Sequence, residues 1–326
     1  MRSPEPPDQR SRRPSHRLPG LSLSAAVVLS LPLVSRAQIA NSEAMVDLVA
    51  KPGGAGLGAL ISSERSPYRG DGQRRDTLPV YLYEGDRFFL RSDRLGLKFA
   101  HSEHQALEMY LQRRVEGLSP EGMPAHLQGL KTRSGGMDLG LTLRLRAGNR
   151  QTYASVTQNL GHDSRGQELN LGAHADWTAG RWTLRPAATL SWRSSRTNNF
   201  YFGVQADEAT LLRPAYRAGA GVDVSGGWFG SYQLSEGWRL VGGVGATRYS
   251  SSVRASPIVE PGTSVGGAVG AVYSFGAETI RWKDADSPTW VRLLYGQAAE
   301  NRCDMLLIMT LRCTAANATR QPRSSG

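Results

Sequence analysis

The sequence predicts an all-β protein, an antiparallel transmembrane β-barrel of about twelve strands with a C-terminal extension. Three observations carry this reading: period-two alternation in segment after segment, short turns alternating with long links, and tryptophans gathered on one face of the strands. In GMDLGLTLRLRAGN (136–149), Met137, Leu139, Leu141, Leu143 and Leu145 occupy one face, and Asp138, Thr142, Arg144 and Arg146 the other. Such a strand is wet on one side and oily on the other. A soluble sandwich turns the leucines inward, whereas a membrane barrel turns them to lipid and the arginines to the lumen.

Composition narrows the choice. The chain has 326 residues with 37 Gly, abundant Arg, scarce Lys and 8% aromatic residues including seven Trp. No internal run of 18 or more apolar residues marks a helical span. The net charge is +11, but residues 1–37 hold six Arg against two acids, and the remaining +7 is spread along alternating strands. With no basic cluster and no aromatic-basic motif, nucleic acid is not expected as a partner.

Residues 1–37 have the order of an export signal. Arg10, Arg12, Arg13 and Arg17 precede the apolar stretch 21–34, and Ser35-Arg36-Ala37 places small residues where cleavage after Ala37 is expected. At about 14 residues the stretch is short for an uncleaved anchor. Residues 38–54 follow as a polar N-terminal segment, expected in the periplasm.

The strands are expected at 55–64, 77–84, 87–91, 94–100, 105–116, 135–147, 151–160, 166–178, 181–195, 217–234, 237–250 and 263–275. Twelve is an even number, as in bacterial single-chain barrels. Within 86–116, HSEHQALEMYLQRR (101–114) also suits a short helix, and merging 87–100 into one strand leaves ten strands as the alternative. Gly148-Asn149, Ala179-Gly180 and Ser235-Glu236-Gly237 read as tight hairpin turns, and 117–134, 196–216 and 251–262 as long links. Short turns at one end and long loops at the other is the asymmetry of outer-membrane barrels. Trp177, Trp182, Trp192, Trp228 and Trp238 all fall on the lipid face, and the first two and the last lie beside tight turns, where an aromatic girdle belongs. A soluble core built from that face would also contain its many Gly and Ala, which pack thinly.

Three stretches resemble the MipA/OmpV family, the MltA-interacting proteins: LISSERSPYRGDGQRRDTLPVYLYEGDRFFLR (60–91), NNFYFGVQADEA (198–209) and YQLSEGWRLVGGVGATRYSSSVRASPIV (232–259). The similarity covers roughly 45–275, with the three motifs in the family's order. The resemblance implies an outer-membrane protein that acts as a non-catalytic scaffold in murein synthesis, linked to a lytic transglycosylase and a bifunctional penicillin-binding protein. It carries no catalytic residues and no cofactor. It ends at Phe275, the terminal aromatic of such barrels, and the 51 residues of 276–326 depart from it. They are expected to be dispensable for the barrel: either the start of a further β segment or the product of a shifted frame.

Candidate chemistry outside that resemblance is thin. His162-Asp163-Ser164 supplies the residue types of a hydrolase triad, but adjacent in a five-residue loop, a spacing that suits a polar turn better than a triad. His101 and His104 have only Glu103 and Glu108 nearby, and no third convergent metal ligand is expected. Arg144, Arg146, Glu168, His174, Asp176, Arg181, Arg185, Arg193 and Asp223 are expected to face the lumen. Mixed charges of this kind either pair and plug a barrel or line a narrow channel with an anionic preference. Cys303 and Cys313 could bridge across a hairpin in the oxidising periplasm or remain two free thiols.

Overall fold

The computed structural model describes residues 43–49 and 54–275, apart from 115–116, 119–123, 134, 162–163 and 261. The expected signal segment 1–37, the extension 276–326 with Cys303 and Cys313, and the pair His162-Asp163 lie outside the described residues.

Alternation of apolar and polar residues dictates strands, and the strands join into one antiparallel sheet. In chain order they are β1 (Ala55–Arg65), β2 (Gln73–Glu84), β3 (Phe88–Arg91), β4 (Arg94–His101), β5 (Gln105–Arg113), β6 (Met137–Ala147), β7 (Arg150–Asn159), β8 (Gln167–Ala175), β9 (Trp177–Ala179), β10 (Trp182–Arg193), β11 (Gly221–Gln233), β12 (Trp238–Arg248) and β13 (Thr263–Phe275). β13 returns to pair with β1, from Ala55↔Phe275 to Glu64↔Gly266, so the sheet closes on itself. β8 and β9 both pair with β10 and form one wall position interrupted at Asp176. The barrel therefore has twelve positions, and the ten-strand alternative is not realised. The segment that also suited a helix is β5, which pairs along its full length with β6. Among the described residues no helix is long and apolar enough to cross a membrane; the chain crosses with strands.

The barrel is inside out relative to a soluble protein. Leu139, Leu141, Leu143 and Leu145 of β6 are exposed, while Asp138, Thr142 and Arg144 on its other face are buried. Trp177, Trp182, Trp192, Trp228 and Trp238 all point outward. Near the turn end they build an aromatic girdle, with Trp182 against Tyr232 and Trp238 against Tyr273 at centroid distances of 4.7 and 5.3 Å.

The inner face uses a second device. Phe89, Tyr110, Tyr153 and Phe229 each sit directly opposite a glycine on the next strand: Gly96, Gly140, Gly172 and Gly243. A Cβ on any of those glycines would lie 2.3–2.4 Å from the facing ring. The missing side chain is what lets each ring lie flat on its neighbour, bracing the wall from within.

Three elements depart from the sequence reading. Residues 43–49 form a helix, α1 (Glu43–Val49), inside the lumen rather than a periplasmic segment, because Ala44, Met45 and Leu48 bury against Leu60, Leu78, Val80, Phe229, Val241 and Val272. The link after β10 contains helix α2 (Ser195–Phe202), capped by Ser194, whose side chain accepts from Thr197 N. The link after β12 holds a single turn, α3 (Ser251–Arg254), capped in the same way by Ser250.

Candidate functional site

The lumen is the candidate site, and its floor, walls and roof arise from different parts of the sequence. Strand alternation delivers the wall charges. In its lower half they connect into a chain of ion pairs of alternating sign. Arg91 binds Glu84 and Glu108, the latter at 2.8 Å; Glu108 meets Arg144 at 3.2 Å; Arg144 meets Glu43 at 2.6 Å; and Glu43 also binds Arg94. Nearer the loop end a second chain runs Asp138–Arg114–Glu168–Arg193–Asp223, with separations of 2.8–3.6 Å. Buried charges persist only when paired in this way.

The floor is α1. Burial opposes ionisation of Glu43, yet Arg144 and Arg94 outweigh it and hold the carboxyl well below the usual carboxylate range. Two further arginines grip the backbone of the helix: Arg185 Nη1 donates to Ala44 O at 2.9 Å and Arg239 Nη1 to Leu48 O at 2.7 Å. The second contact lies near the helix C-terminus, where unpaired carbonyls favour a cation. Four strands thus supply one arginine each to a seven-residue helix.

The roof is made by the long loops, which share an apolar cluster of Tyr68, Leu118, Leu127, Leu130, Tyr201, Phe202, Tyr249, Val253, Ile258 and Val259 among others. Two buried arginines tie it together. Arg133 donates to the carbonyls of Phe200 and Gly203 at 2.6 and 3.1 Å and pairs with Glu208 at 2.8 Å. Arg213 donates to His126 O and Glu208 O, both at 2.7 Å. Burial opposes the charge on Glu208, but the backbone N–H groups of Gln205 and Lys131 and the Arg133 guanidinium overcome it and lower its pKa. Between roof and floor remains a cavity of about 240 Å³, bounded by Arg94, Tyr110, Arg114, Tyr153, Ser191 and Phe229 among others.

The sequence-predicted lumen residues divide accordingly. Arg144, His174, Arg185, Arg193 and Asp223 are buried inside, and Glu168 joins the upper chain. Asp176 accepts from Arg185 at 2.6 Å at the interruption between β8 and β9. Arg146 and Arg181 depart from the expectation: both are exposed at the turn end, where Arg146 reaches Gln151 and Arg181 reaches Leu234 O. They lie at the strand's last turn, beyond the packed lumen, so alternation alone overstates their burial. Sequence reasoning missed Glu43, Arg133, Glu208 and Arg213, because their partners are 51 to 101 residues away or in irregular loops.

Of the candidate chemical groups, Ser164, His101 and His104 are among the described residues. Ser164 Oγ accepts from Gly166 N at 3.4 Å, as in a polar turn. His101 closes β4 and His104 sits in the following turn, both exposed, and among the described residues no three metal-ligating side chains converge.

Comparison with known proteins finds outer membrane proteins among the relatives of this chain. The chain is 31% identical over 134 residues to outer membrane protein Omp26La of Vibrio anguillarum, and 29% over 134 residues to outer membrane protein OmpV of Vibrio cholerae. Each match covers 41% of this chain and 52% of the relative, so the chain spans about half the length of these curated relatives. The putative outer membrane protein YiaT of Escherichia coli K12 is 22% identical over 227 residues, covering 67% of this chain and 90% of its own. Among solved structures, the COG4313 outer membrane channel of Pseudomonas putida F1 aligns over 70% of this chain and 98% of its own, with 16% identity and a TM-score of 0.38. The sequence profile of MltA-interacting protein MipA matches residues 56–275, from the second residue of β1 to the last of β13, and this outer-membrane barrel belongs to that family.

Proposed function

We propose that the protein is a non-catalytic scaffold of the outer membrane, holding murein-synthesising and murein-hydrolysing enzymes at the periplasmic end of the barrel. The observation that carries the reading is the occluded lumen: α1 fills it from the turn end, held by four arginines, and the loop cluster roofs the other end. A barrel invested in closing its own interior acts through its surfaces rather than through flow. The family name supports a lytic transglycosylase as one partner, and a bifunctional penicillin-binding protein completes the proposed set. The exposed turns carrying Arg146 and Arg181 supply the periplasmic face in this reading.

A second reading has its own support. Arg94, Arg144, Arg185 and Arg239 converge on α1, and without the helix they would line a constriction suited to anions. Pull-down of envelope extracts on the refolded barrel, paired with planar-bilayer recording, separates the two. Recovery of a transglycosylase or a synthase with a silent bilayer supports the scaffold. Steady anion-favouring current without those partners replaces it with a channel.

A further inference from the structure

One wall of the chamber between the roof and α1 is lined by neutral hydrogen-bonding side chains, and strand register lays them out in rows. Ser155 of β7 stands level with Asn170 of β8, and Asn170 with Ser191 of β10. Two residues nearer the turn end, Thr189 stands level with Ser225 of β11, and Ser225 with Thr247 of β12. Two residues nearer the loop end, Thr157 follows Ser155 on the inner face of β7. All seven border the chamber.

The lower row is occupied with itself. Thr189 Oγ1 shares a hydrogen bond with Tyr153 Oη at 2.7 Å, and Ser225 Oγ shares one with Thr247 Oγ1 at 2.9 Å. Thr157 differs. It is only 5% exposed, yet its Oγ1 has no hydrogen-bond partner among the described residues. Buried hydroxyls are almost always satisfied, so one left over on the wall of a cavity marks the place of a ligand group.

Charge and size narrow what that ligand is. Arg114 is paired with Asp138 and Glu168, Arg193 with Glu168 and Asp223, Arg94 with Glu43, and Arg74 with Asp71. An ion would have to compete with these buried pairs, whereas a neutral molecule leaves them intact. Hydroxyls both donate and accept, as do the serine, threonine and asparagine groups of the wall. Tyr153 and Phe229 border the same space and offer apolar ring surface to C–H groups. At about 240 Å³ the chamber exceeds the ~150 Å³ that takes a benzene ring and falls below the ~300 Å³ at which pockets for drug-sized molecules begin. A single six-membered ring bearing hydroxyls suits it.

We propose that the chamber binds one neutral sugar ring, held by Thr157 and the row Ser155–Asn170–Ser191 and lying against Tyr153 and Phe229. Glu43 and Ala44 of α1 form part of its border, so the sugar exchanges no faster than α1 or the roof yields. The site stands whether the barrel acts as a scaffold or as a channel.

The test is equilibrium dialysis of the full chain, refolded in lauryldimethylamine oxide because a detergent with a sugar headgroup would compete. The probes are radiolabelled glucose, galactose, mannose, N-acetylglucosamine and myo-inositol, with glucuronate and glucosamine as charged counterparts. At least one neutral probe should bind saturably at one per chain, and the charged counterparts at least tenfold more weakly. Thr157→Val keeps the shape and removes the unpartnered hydroxyl, so affinity should fall about fivefold, as for one ordinary hydrogen bond, while the urea midpoint stays or rises. Ser191→Phe fills the chamber and should abolish binding with heat-modifiable migration retained. Absence of saturable binding by every neutral probe overturns the site, as does undiminished binding by Ser191→Phe. Preference for glucuronate or glucosamine overturns its neutrality. A fall in the urea midpoint of Thr157→Val, or unchanged affinity, overturns the role of Thr157 as a ligand group.

Discussion

Glu43 Oε2 accepts a 2.6 Å hydrogen bond from Arg144 Nη2, joining the lumen helix to β6 across 101 residues of chain. Glu43 Oε1 is bound at the same time by Arg94 of β4. One carboxylate therefore holds two buried guanidinium groups, and its removal leaves both short of a partner. Breaking such a buried pair from one side costs about 3–5 kcal/mol. Glu43→Ala should unseat α1 while the barrel remains closed through its strand ladders. Amide exchange of residues 43–49 should accelerate sharply, and transient anion-favouring openings should appear in bilayer records. A variant with unchanged exchange would show that the apolar contacts of Met45 and Leu48 suffice.

The aromatic-on-glycine pairs make a second expectation. Gly140→Ala and Gly172→Ala each drive a methyl group into the facing tyrosine, a type of overpacking that costs about 1–3 kcal/mol. Gly226→Ala points outward, and its nearest neighbour would be a backbone oxygen at 3.5 Å. Urea unfolding of the refolded barrel should fall for the first two and stay put for the third. Equal midpoints for all three would remove the bracing role.

Much of this wall is legible in the sequence, because each strand encodes its own faces. Leu139 to Leu145 against Asp138 to Arg144 needs only the period of two, and Gly148 and Gly180, with φ of 60° and 57°, mark their turns directly. The interior was legible as charge but not as pairing. Nothing local says that Glu43 serves Arg144, or that Arg133 in one loop serves Glu208 in another. The helix at 43–49 escaped for the same reason: its few apolar residues need the barrel around them before they have anything to bury against. The short β3 was foreseen at 87–91, but that β2 pairs with it only through residues 82–84 depends on register, which a single strand does not reveal.

The roof should respond to acid. The pKa of Glu208 is lowered in the folded state, so its contribution is complete above the ordinary carboxylate range and is lost as pH falls through the lower folded value. Protonation would release both the Arg133 pair and the bond from Lys131 N, which is 2.7 Å long. Limited proteolysis at the loop end should therefore speed up below about pH 4, in the region of the unfolded glutamate value. Glu208→Gln should show that faster cleavage already at neutral pH. Pattern and rate independent of pH would place the control of the roof in its apolar cluster instead.

Arg133→Lys tests the same roof without removing the charge. Lysine retains one point cation but loses the fork that reaches Phe200 O, Gly203 O and Glu208 together. The variant should fold, run with the same heat-dependent shift on a gel, and lose protection of the loop containing α2. If protection survives, the ion pair with Glu208 alone is enough.

The closing seam gives the last expectation. β13 meets β1 from Ala55↔Phe275 upward and meets β12 on its other side down to Trp238↔Tyr273, so the ladder needed for closure is complete at Phe275. Tyr273 also packs on both Trp238 and Phe275, at 5.3 and 6.0 Å between centroids, which anchors the last rungs in the girdle. A chain ending at Phe275 should thus refold in detergent with strand content and heat-modifiable migration at least equal to those of the full chain. Phe275→Ala in that shortened chain should weaken the seam by about 3–4 kcal/mol at most, since the ring is only partly covered and the backbone ladder persists. If shortening instead abolishes refolding, and Cys303→Ser with Cys313→Ser does the same in the full chain, residues beyond 275 belong to the folding unit and closure does not end at this strand.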